Sequence, residues 1–162
     1  MRKRIIVVFG LAIGTTAVCA TSQDKTSAPA VDVIGARQRG MDMSSITLRF
    51  MVDAMKAGRE ATTQQYPAFV LAKWAWTVPT LFPPDSVQGQ SSQNTQALPL
   101  IWQDRAGFNK AAADYAEATA KLASLAASND TAAFTKQLDG VQQACNVCHS
   151  RYKAGPQAAP SK

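Results

Sequence analysis

The chain holds a single histidine among 162 residues, which excludes any chemistry that needs two imidazoles. Charged residues make up only 17%, against 46% apolar residues, so a disordered polyelectrolyte is excluded and one core can be buried. At this length one domain is expected. The longest apolar stretch, Ile5 to Ile13, falls well short of the ~20 residues that a membrane-spanning helix needs. A mean hydropathy of −0.12 likewise excludes a multi-span membrane protein. No segment alternates apolar and polar residues over a useful length, which argues against β-sheet. Cysteine is scarce, with three residues.

What is present begins with an address. Arg2, Lys3 and Arg4 precede the apolar run, and Val18-Cys19-Ala20 places small residues before a polar segment. This order predicts a secretory signal peptide over residues 1–20. Cys19 raises lipoprotein attachment as a rival, but Thr16-Ala17-Val18 fits a lipobox poorly. The formal charge of +6 owes three basic residues to this segment, and without it 14 basic residues face 11 acidic ones. No Lys/Arg cluster remains, so a nucleic-acid partner is not expected. The mature chain is expected in the periplasm, with no membrane span after processing. Residues 21–30 read as a flexible lead, 31–155 as the folded domain and 156–162 as a disordered tail.

Four helices are expected in that domain. The first runs from about Val31 to Ala57, with Ile34, Met41, Leu48 and Met55 inward, Ser45 and Val52 in the complementary slots, and Gly58 as a stop. The second lies between Arg59 and Trp76, and either starts near Pro67 or kinks there. The third spans about Pro99 to Ala127, where Ile101, Arg105, Phe108, Ala112, Tyr115, Thr119, Leu122 and Ala126 alternate steps of four and three. Asn129-Asp130 supplies a turn and N-cap for the fourth, where Phe134, Leu138, Val141, Cys145, Cys148 and Tyr152 repeat that spacing. The expected fold is all-α, an antiparallel four-helix bundle.

The chemistry lies in Cys145-Asn146-Val147-Cys148-His149, a C-x-x-C-H sequence. On a helix the two thiols share a face and can each form a thioether to a haem vinyl group, while the imidazole of His149 reaches the iron. Other uses of the pair fit the sequence less well. A short-range disulfide remains formally open, and a thioredoxin-like pair wants the motif at a helix start. A zinc site would need a fourth ligand, and the mature chain has no further His or Cys. One covalently bound, thioether-linked haem c near the end of the fourth helix is therefore expected.

With Arg37-Gln38, Leu81-Phe82-Pro83, Ile101-Trp102, Gly107-Phe108 and the terminal C-x-x-C-H-x-x-Tyr-Lys, residues 31–153 resemble the class II cytochromes c, meaning cytochrome c′ and cytochrome c-556. The resemblance implies that His149 ligates the iron and that Met41 faces its opposite side. It further implies that Arg37 and Gln38 reach the haem propionates, that Phe82 and Trp102 wall the pocket, and that Lys153 stands near the ligand side. Two functions follow from it. With Met41 as sixth ligand the protein is a low-spin, His/Met-ligated electron carrier serving redox partner proteins. With Met41 only packing, it is a five-coordinate, high-spin protein that binds NO or CO. Family members occur as monomers and homodimers. No enzyme activity is expected, since a peroxidase would need a distal acid–base group.

Overall fold

The computed structural model describes residues 32–86 and 95–155. The signal peptide, the lead and the tail expected from the sequence lie outside these residues. Among the described residues the regular structure is helical, with one isolated bridge pairing Ala97 with Lys153.

Helix α1 covers Val33–Lys56, α2 Gln65–Thr77, α3 Leu100–Gln103, α4 Arg105–Ala127 and α5 Thr131–Tyr152. Three of them start on an aspartate that accepts from a backbone N–H in the first turn, which satisfies a donor the helix itself leaves free. Asp32 accepts from Gly35 at 2.7 Å, Asp104 from Gly107 at 3.1 Å and Asp130 from Ala133 at 3.0 Å. Gly58, at φ +72°, turns the chain after α1 as expected. Asn129 (φ 56°) does the same before α5.

Two expectations are refined. A 3₁₀ turn, Ala61–Gln64, leads into α2, which starts at Gln65, so Pro67 sits in the first turn and causes no kink. There its missing N–H costs nothing, because first-turn donors have no helical acceptor. The third helix is not continuous. Asp104, at φ −115° and ψ 59°, breaks it into the single turn α3 and the long α4.

Helices α2, α4 and α5 pack successively, and α1 closes the bundle against α2 and α5. The 4-3 faces are buried as read: Phe108, Leu122, Phe134, Leu138 and Val141 are all in the core. Each such side chain contributes about 1.5–3 kcal/mol through apolar area removed from water. Met51 of α1 is fully buried among them and packs the core, whereas Ser45, expected on the inward face, is exposed.

Candidate haem site

The end of α5 and the first half of α1 face each other across a cavity of about 490 Å³. His149 and Cys148 line it from α5, Arg37, Gln38 and Met41 from α1, and Phe82 from the link after α2. This volume falls in the range typical of small-molecule and cofactor pockets. Val78, Ile101 and Phe108 add apolar wall. Sequence reading had assigned Ile101 and Phe108 to the core and had not singled out Val78. The same 4-3 periodicity marks both core and cavity wall, so it does not separate them.

Cys145 and Cys148 are free thiols, half-buried, one helical turn apart and packed against the core. Burial raises both thiol pKa values, that of Cys148 to about 11 with a further push from Cys145. A redox-active or catalytic cysteine has the opposite shift. His149 follows on the exposed side of the same turn, and desolvation, then the charge of Lys153, lowers its pKa, which favours the neutral imidazole, the form that ligates. Cys145 does not line the cavity itself; it packs one turn behind Cys148.

Arg37 is buried, with 3% of its surface accessible, and is not a solvated side chain. Its Nη1 donates to the carbonyl of Leu81 at 3.2 Å and to Ser86 Oγ at 2.9 Å. Its Nη2 donates to the Ser86 carbonyl at 3.1 Å and to Thr95 Oγ1 at 3.0 Å. The residue thus ties α1 to Leu81, Ser86 and Thr95 in the link between α2 and α3, while Gln38 is exposed on the cavity rim. Trp102 stands behind Phe82 (ring centres 6.2 Å apart) and walls an adjoining cleft of about 420 Å³. Its Nε1 donates to the Pro83 carbonyl at 2.9 Å, which holds the indole away from the first cavity.

The donor set fits a haem. Among the described residues no group of three His, Cys, Asp or Glu side chains could hold a bare metal ion. One imidazole, with one thioether available across the cavity, suits an iron whose remaining ligands come with the group. Two adjacent half-buried thiols beside that imidazole supply its covalent anchors.

The family model for cytochrome C′ matches residues 32–153. The chain belongs to the cytochrome c′ family. It is 28% identical to cytochrome c′ of Rhodospirillum rubrum over 94% of this chain and 99% of that one. The solved cytochrome c′ of Thermochromatium tepidum superposes with a TM-score of 0.68 and 27% identity, covering 76% of this chain and 95% of that chain. A further cytochrome c′, described by an unusual ligand-controlled dimer dissociation, gives 0.69 and 25%, with coverage of 76% and 95%. These bundles confirm the four-helix architecture, and the family carries one covalently attached haem c, for which Cys145, Cys148 and His149 form the attachment sequence.

Proposed function

We propose that this is a cytochrome c′ with an open-sided haem: Cys145 and Cys148 anchor the group, His149 ligates the iron, and the opposite side admits NO or CO. When bound, the haem supplies an iron that accepts such ligands or a single electron. The observation that carries the reading is the cavity: Met41, Val78, Phe82, Ile101 and Phe108 give its wall an apolar stretch, while Arg37, Gln38, Asp42, Ser45, Thr95, Gln96 and Lys153 make up its polar part. The apolar stretch accepts small neutral ligands. The family assignment supports this reading over the His149/Met41 electron carrier expected from the sequence.

The electron carrier stays as the second reading because the Met41 side chain lines the same cavity as His149. Substituting Met41→Leu separates the two. An open-sided iron keeps its spectrum and its CO affinity to within a few fold, whereas loss of a sixth ligand converts the spectrum from low-spin to high-spin.

Export to the periplasm is part of the proposal, supported by the Arg2-Lys3-Arg4 and Ile5–Ile13 pattern. Among the described residues no helix is long and apolar enough to cross a membrane. Pairing with a second copy is also included. Met43, Ile46 and Phe50 on α1, with Tyr66, Phe69 and Trp76 on α2, are at least half exposed. Apolar faces of this kind mark association surfaces, and a similar cytochrome c′ is described as a dimer that dissociates under ligand control.

A further inference from the structure

We propose that Asp104 is a positioning residue for His149, acting through Tyr152. The inference rests on the reading of His149 as the iron ligand. Asp104 and His149 share no contact; a built chain of three residues joins them.

The break at Asp104 turns its carboxylate toward the end of α5. Oδ1 accepts from Gly107 N at 3.1 Å, and Oδ2 accepts from Tyr152 Oη at 2.8 Å. Arg151 Nη2 lies 2.7 Å from the same Oδ2. Gly107 makes room for this arrangement. A Cβ there would overlap the Asp104 carboxylate and come within 2.6 Å of Tyr152 Oη.

Tyr152 is buried, packs edge-on against Phe108 at 5.5 Å between ring centres, and lines the cavity. It lies three residues after His149, so the two are neighbours one turn apart on α5. The backbone locks the same turn from outside: Leu98 N donates to the Tyr152 carbonyl at 3.0 Å, and Ala154 N to the Gln96 carbonyl at 2.8 Å. Inside α5, Lys153 N donates to the His149 carbonyl at 3.1 Å. The last turn of α5 therefore has its depth and rotation set jointly by the Asp104 carboxylate at the α3–α4 break and by the backbone at Gln96 and Leu98. An imidazole on that turn inherits both. Metal sites are tuned by the partners that orient their ligands as much as by the ligands. Here the orienting bond acts on the helix turn that carries the ring.

The test uses the haem-loaded protein and the variants Tyr152→Phe, Asp104→Asn, their combination, and Gly107→Ala. Tyr152→Phe keeps the ring and its packing and removes only the hydroxyl. The expected result is a shifted reduction potential and visible spectrum in Tyr152→Phe and Asp104→Asn, a CO release rate changed by up to roughly tenfold, and no added effect in the double variant. Gly107→Ala, which forces the pair apart, reproduces the shift. A Tyr152→Phe protein with attached haem but unmoved potential, spectrum and CO release overturns the proposal, as does simple additivity in the double variant. If Tyr152→Phe does not accumulate, Asp104→Asn and Gly107→Ala read the same contact. His149→Ala in the same series tests the underlying reading separately: an unchanged spectrum there removes His149 as ligand and the proposal with it.

Discussion

The guanidinium of Arg37 lies 4.6 Å from the centre of the Phe82 ring, so one residue of α1 covers one wall of the haem cavity while its four hydrogen bonds hold the chain that carries that wall. Desolvation lowers its pKa, but a guanidinium remains charged at any pH the fold survives. Substituting Arg37→Met removes the donor to the buried Ser86 carbonyl and the partly buried Leu81 carbonyl. A loss of about 2–4 kcal/mol is expected, read as the denaturant midpoint of the haem-loaded protein. Arg37→Lys restores only part of it, since an ammonium does not span four acceptors.

Two glycines in helices predict opposite outcomes. The Trp74 ring lies directly on Gly40, where an added Cβ would overlap it. Alanine there gains up to about 1 kcal/mol of helix propensity but overpacks a stiff ring at about 1–3 kcal/mol, so Gly40→Ala destabilises. At Gly140 the nearest neighbour of a Cβ is the end of the Gln137 side chain, at 3.4 Å. Gly140→Ala therefore stabilises by up to about 1 kcal/mol. Thermal unfolding of both variants checks the contrast.

These contacts show where sequence reading reached and where it stopped. The 4-3 spacing of Phe108 to Ala126 and of Phe134 to Tyr152 fixes which faces of α4 and α5 are buried, because helix geometry is local. It runs straight through Asp104, since Ile101, Arg105 and Phe108 keep their spacing across the break. The signal was there in Asp104-Arg105-Ala106-Gly107, of the same kind as at Asp130, an aspartate three residues before a capped N–H. The reason for the break was not, because Tyr152 lies 48 residues away. Arg37 poses the same difficulty: its partners Ser86 and Thr95 are 49 and 58 residues distant, and only the fold brings them together. The haem anchors and the iron ligand were legible because Cys145, Cys148 and His149 lie within five consecutive residues.

Tyr115 is buried in the bundle, and desolvation pushes its pKa from 10.0 up to about 12, against a smaller opposing hydrogen bond with Ser44. A raised folded-state value favours the neutral phenol in the native protein. Its contribution is fully present below pH 10 and is lost as pH rises toward 12, to a total of about 2–3 kcal/mol. Alkaline unfolding should accordingly be shallower over that window in Tyr115→Phe. An identical pH dependence in both proteins would refute the assignment.

The exposed apolar face predicts a concentration-dependent dimer. Phe50 is 60% and Phe69 50% accessible. Charges placed there by Phe50→Glu and Phe69→Glu leave the core untouched and are expected to give a monomer by sedimentation, with unfolding changed by less than about 0.5 kcal/mol at low concentration. A wild-type protein that sediments as a monomer at all concentrations contradicts this.

The visible spectrum of the purified haem-loaded protein, oxidised, reduced and reduced under CO, tests the central claim most directly. An iron held by His149 with its other side open gives broad high-spin bands that shift readily when CO is added. Sharp, well-separated α and β bands that resist CO would instead mean that Met41 occupies the sixth position, and the electron-carrier reading would replace the one proposed.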